Sequence, residues 1–159
     1  MPRMIPSSVE RLLKSPSKDN AAALLEDESA VFHVDWREED DAIARYCEAI
    51  LRTGSLAAKL VDIEAEPGFE LYISHAGKKV TVPLVVGPAD RHTTLRAINR
   101  VLAPDYEVRV CVASNGMDTL AFLPLSAADW KVLEGKYGLQ VAKHFRKIEK
   151  TPNLFTEAW

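Results

Sequence analysis

Apolar positions along the chain switch between two periods, and the switches divide it into elements. Val9, Leu12 and Leu13 follow Ser7 and Glu10, which have capping-box spacing, so a short helix is expected before Pro16. Asn20 can cap a second short helix over 21–27. Residues 31–36 alternate, with Phe32, Val34 and Trp36 on one side and Val31, His33 and Asp35 on the other. A helix follows with Ile43, Tyr46, Cys47, Ile50 and Leu51 at i, i+3, i+4, i+7 and i+8, closed by Thr53-Gly54. Asp35 and Glu38 stand three apart, the spacing of an N-cap and a third helical position that satisfy each other's amides.

Three alternating segments come next, with turns at Pro67-Gly68 and Ala76-Gly77. Val61, Ile63 and Ala65 oppose Asp62, Glu64 and Glu66; Phe69, Leu71 and Ile73 oppose Glu70, Tyr72 and Ser74; Val80, Val82, Leu84 and Val86 oppose Lys79, Thr81 and Val85. They predict an antiparallel meander whose wet face carries Asp62, Glu64, Glu66 and Glu70. Asp90 caps a helix with Leu95, Ile98, Val101 and Leu102 inward, stopped by Pro104. Tyr106, Val108, Val110 and Val112 alternate with Glu107, Arg109 and Cys111, Asn115-Gly116 signals a hairpin, and 119–123 returns to Pro124. Ser126 and Asp129 open a helix through Trp130, Leu133 and Tyr137, broken at Gly138. A last helix turns Val141, Ala142, Phe145 and Ile148 inward. The core order is β-α-β-β-β-α-β-β-α-α. That is α+β, one antiparallel sheet of five to six strands with helices packed on it. Residues 1–30 are expected as an N-terminal helical extension and 31–159 as a single domain.

Composition narrows the class. With 159 residues, 47% hydrophobic and 27% charged, the chain can bury a core of its own. No run of 18 apolar residues spans a bilayer, and residues 1–6 lack the apolar stretch of a leader peptide. Cys47 and Cys111 sit far apart in apolar-periodic segments, which fits thiols buried in a reducing cytoplasm. The net charge of −3 is uneven: residues 1–30 carry −1, 31–75 carry −6 and 76–159 carry +4. Such a split steers a charged partner toward one region.

Tests for chemistry come back negative. His33, His75, His92 and His144 have no metal-ligand spacing, and no nucleophile elbow, Gly-rich phosphate loop or Cys-x-x-Cys is present. His92, Thr93, Thr94 and Arg96 at a helix start are a candidate anion site. Glu38, Glu39, Asp40 and Asp41 load the positive end of a helix dipole, which favours ionised carboxylates over the raised pKa that acid catalysis needs. The basic residues of the last helix lack interleaved aromatics, and a pI near 5.8 argues against nucleic acid. These exclusions leave a binding protein with no cofactor or metal. Its candidate surface joins Glu38, Glu39, Asp40 and Asp41 to Asp62, Glu64, Glu66 and Glu70, with Trp36 and Tyr72 as aromatic anchors. Trp36 shares a face with Phe32 and Val34, so core packing is its other reading.

Three stretches together carry a family resemblance: Asp35-Trp36-Arg37-Glu38-Glu39-Asp40-Asp41, Val82-Pro83-Leu84 leading to Asp90-Arg91-His92, and residues 118–125 followed by Trp130. They resemble small immunity proteins encoded beside bacterial polymorphic toxins, including contact-dependent growth inhibition systems. The resemblance implies a tight non-covalent complex with a cognate, basic toxin domain, such as a nuclease. A cytoplasmic monomer or weak homodimer is expected, with no nucleic-acid or membrane partner. The order from residue 36 is also similar to that of class I type III secretion chaperones, which implies an effector-binding homodimer. A small enzyme with an unrecognised site is the third alternative.

Overall fold

The alternating and helical periods condense into an α+β fold of two antiparallel sheets. The structure, a computed structural model, describes residues 4–159, so the first three residues of the leader-peptide reading lie outside it. In chain order the elements are α1 (Ser7–Lys14), α2 (Lys18–Leu25), β1 (Phe32–Asp35), α3 (Asp40–Leu51), β2 (Ala57–Asp62), β3 (Phe69–His75), β4 (Lys78–Val82), α4 (Asp90–Leu102), β5 (Tyr106–Cys111), β6 (Thr119–Ser126), α5 (Ala127–His144) and β7 (Phe145–Lys147). A 3-10 turn over Val112–Ser114 joins β5 toward β6. No helix among the described residues is long and apolar enough to cross a membrane.

The expected single sheet is two: β1-β6-β5-β7 and β2-β3-β4. The meander pairs only within itself, because α3 and α4 pack between it and the four-stranded sheet. Both faces of the four-stranded sheet are buried, and alternate residues of β6 enter different cores. Leu120 and Phe122 join Val108, Val110, Ile43, Leu95 and Ile98 on one side. Ala121, Leu123 and Leu125 join Trp130, Leu133, Val9, Leu12 and Leu24 on the other. The helices of residues 1–30 therefore contribute buried side chains to the second core, beside α5.

Several local expectations change. Strand β6 runs through Pro124 to Ser126, because β1 pairs with it only from Phe122 to Thr119. Pro124 lies beyond the β1-paired stretch, in register with Val108 of β5. The expected last helix ends at His144, and Phe145 opens β7 against Cys111. The break sits at Tyr137 (φ −136°, ψ 36°), one residue before Gly138. Strand β2 takes the opposite phase: Leu60 pairs with Leu71 and Asp62 with Phe69, so Leu60 and Asp62 share the face that Val61 and Ile63 were expected to occupy. Helix α3 starts at Asp40, so Asp35 and Glu38 do not form its capping box.

A candidate partner-binding groove

Strand β1 ends in a tight turn that throws Trp36 outward. Asp35 Oδ1 accepts from the Arg37 amide at 2.8 Å, and the Asp35 carbonyl accepts from the Glu38 amide at 3.0 Å. Trp36 is left 45% exposed, outside both cores, with the Arg37 guanidinium 5.1 Å over its ring. The core-packing alternative for Trp36 does not hold. The turn, rather than the strand's alternation, sets its direction.

The acidic run divides by duty. Asp40 is nearly buried and receives Arg91 of α4 through Nε at 2.8 Å and Nη2 at 2.7 Å, with the Thr94 hydroxyl at 2.9 Å. Arg91 also donates to the Trp36 carbonyl at 3.1 Å, so one guanidinium ties α4 to the turn and to the start of α3. Burial pushes the Asp40 carboxyl above its ordinary range, and the Arg91 and Thr94 bonds pull it back. Asp40 is thus a strut. Glu38 accepts from the Tyr46 hydroxyl at 3.1 Å, Asp41 pairs with Arg45 at 3.2 Å on the next helical turn, and Glu39 is exposed.

Across from the turn, Asp90 is buried. Its carboxylate accepts from the amides of Val85 and Val86 at 2.9 Å and of Gly87 at 3.3 Å. It organises the incoming loop and makes no side-chain cap for α4, a correction to its expected role. Between this loop, the Trp36 turn and the sheet lies a groove of about 600 Å³. Trp36, Glu38, Glu39, Asp40 and Asp41 line it together with Leu60, Phe69 and Val86.

The remaining predicted residues lie elsewhere. Asp62 sits at the end of β2 on the same sheet face as Leu60, outside the groove lining. Glu64 and Glu66 are exposed on the β2–β3 turn. Glu70 and Tyr72 face the opposite side of the meander, in register with Val61 and Lys59. There the Tyr72 hydroxyl donates to Glu70, and Lys79 sits 4.2 Å over the Tyr72 ring. The single wet face expected to hold Asp62 and Glu70 together does not exist, because the reversed phase of β2 separates them.

The residues that sequence reasoning missed are Leu60, Phe69, Val86 and Arg91. Arg91 meets Asp40 across 51 positions, a separation that leaves no periodic trace. His92 is not an open anion site. It is buried, with Nε2 2.7 Å from the Glu149 carbonyl and Nδ1 accepting from the Leu154 amide at 3.3 Å. Burial holds its pKa below the usual histidine value, helped by the nearby Arg96 charge. Among the described residues no group of three His, Cys, Asp or Glu side chains is placed to hold a metal ion. Neither a family model, nor a curated protein, nor a solved structure matches the chain significantly.

Proposed function

We propose that the protein is a bacterial immunity protein that binds and neutralises a cognate toxin domain in the cytoplasm, with the Trp36 groove as its docking surface. The reading rests on one observation above all. A half-exposed tryptophan and the exposed aliphatic chains of Leu60 and Val86 share a groove with Glu38, Glu39 and Asp41. Interfaces draw much of their energy from aromatic anchors in apolar centres, and charged rims set association rate and choice of partner. A basic toxin surface fits that arrangement. The protein acts by binding alone, since Asp40 and Asp90 are committed to hydrogen bonds that hold the groove's walls.

The test is co-expression with the product of the adjacent reading frame, followed by stopped-flow association of the purified pair. Reversal of Glu38, Glu39 and Asp41 to lysine is expected to slow association by roughly tenfold or more at low ionic strength. The difference should shrink as salt rises past about 0.15 M. Failure of the two proteins to associate, or an association rate indifferent to the reversals, overturns the reading. Recovery of a homodimer wrapped around an unfolded segment of its partner would support the secretion-chaperone alternative instead.

A further inference from the structure

The loop opposite Trp36 holds a conformation that its residue type resists. Val86 has φ +60°, in the left-handed region that a β-branched side chain rarely enters. Among the described residues, two other non-glycine positions share a positive φ. Arg52 closes the C-terminus of α3, and Ala76 lies in the tight β3–β4 turn, so both have a local reason. Val86 ends no helix and turns no hairpin. Gly87, which would adopt the conformation freely, stands one position later.

Packing does little to offset this strain. Val86 is 64% exposed and Val85 74%. The loop is held instead from behind, by the buried Asp90 carboxylate on three consecutive amides. Strain that the surroundings impose and that packing does not repay marks a place where the side chain itself is wanted. Eight large hydrophobic residues are exposed among the described residues, and three of them, Trp36, Leu60 and Val86, line this one groove.

We propose that Val86, with Val85 beside it, is a preset apolar prong that enters a pocket on a basic partner protein, and that Asp90 is the positioning residue that fixes it. This rests on the reading of the groove as a partner-binding site and names the feature that the partner must carry: an apolar pocket bordered by lysine or arginine. Charge selects that occupant. The groove lining holds five carboxylates, on Glu38, Glu39, Asp40, Asp41 and Asp90, against the guanidiniums of Arg37 and Arg91. A second copy of this chain would bring two such carboxylate sets together, which disfavours self-association through this face. A preset loop needs no ordering on contact, so its contribution appears mainly in the dissociation rate.

The experiment compares the full chain with Val86→Gly and Val86→Asn, both of which tolerate a positive φ. Thermal unfolding of each protein alone is measured beside its affinity for the purified product of the adjacent reading frame. The expected result is an unfolding temperature for Val86→Gly equal to or above the parent, with a Kd at least tenfold weaker in both variants and most of the change in dissociation. A lowered unfolding temperature for Val86→Gly would show that the valine serves the fold and would overturn the proposal. So would a Kd within twofold of the parent. No binding by the parent overturns this proposal together with the proposed function, whereas parent binding that ignores both substitutions overturns the prong alone.

Discussion

Replacing Arg91 by methionine isolates the bond that builds the groove. Arg91 and Asp40 are each 12% exposed at the side chain and meet through two hydrogen bonds of 2.7 and 2.8 Å. Methionine fills similar volume without charge, so the main consequence is a carboxylate left in a desolvated site with only Thr94 as donor. Removing one partner of a buried pair costs about 3–5 kcal/mol, far more than the pair's net worth against two apolar residues. For a chain of this length each kcal/mol moves the unfolding temperature by about 2–4 °C, so Arg91→Met should lose roughly 6–20 °C at pH 7. The pH dependence carries a sign of its own. Burial already raises the Asp40 carboxyl in the folded state, and without the guanidinium it rises further. A raised acid contributes stability below its unfolded pKa of 3.8 and loses it as pH climbs through the folded value. The deficit of the variant should therefore narrow as pH is lowered toward about 4. Asp40→Asn should cost less, because Arg91 keeps the Trp36 carbonyl and the Asp90 carboxylate 3.8 Å away. The double variant should recover part of the loss. Calorimetry of the four proteins between pH 4 and 7 checks this. A deficit under about 1 kcal/mol, flat with pH, would class the pair with surface ion pairs and refute the strut.

The other expectations concern the opposite core and the C-terminal segment. Leu12 is fully buried in the second core, so Leu12→Ala should cost about 2–5 kcal/mol in denaturant unfolding; a cost near zero would mean that α1 is an appendage. His92 is held neutral, since Nδ1 accepts from the Leu154 amide, and burial depresses its pKa below 6.5. Its contribution is complete above about 6.5 and is lost as pH falls through the folded value. The protection of the Leu154 amide, its exchange rate relative to the intrinsic rate at each pH, should therefore drop as pH falls below 6.5. His92→Gln should flatten that dependence, and an unchanged profile would deny the clasp.

The elements with one clear periodicity were legible, and those decided by pairing were not. Leu95, Ile98, Val101 and Leu102 are buried on α4 as their spacing requires. Leu71 and Ile73 face inward on β3 as their alternation requires. In β2, by contrast, the sequence Ala-Ala-Lys-Leu-Val-Asp offers an apolar residue to each face, and pairing with β3 sets Leu60, still half-exposed, on the face of Leu71 and Val61 on the other. A strand with little contrast between its faces leaves its phase to its neighbours. The division into two sheets was equally hidden, because strand number is written locally and the choice of which strands pair is a long-range matter. Arg109 makes the same point from inside the second core. It alternates with Val108 and Val110 like an outward residue, yet it is buried 4.1 Å over the Trp130 ring with Glu107 at 3.0 Å.

The acidic start of α3 shows why charge in a sequence overstates what a surface offers. Glu38, Glu39, Asp40 and Asp41 are equivalent on paper, a run beyond what capping requires. In the fold Asp40 is neutralised by Arg91, and Asp41 is partly matched by Arg45 on its own helix. Glu38 accepts from the Tyr46 phenol, which brings no offsetting cation, and Glu39 stands in water. The charge that can steer a partner is therefore concentrated at two residues next to Trp36, while Asp40 fixes where they point. A long-range arginine sorted them. Because Arg91 grips the Trp36 carbonyl and the Asp40 carboxylate together, the Trp36 turn and the acidic start of α3 are placed by one side chain. A substitution at Arg91 should thus raise the Kd of the proposed partner complex through the displaced turn, beyond the loss of its own charge from the groove lining.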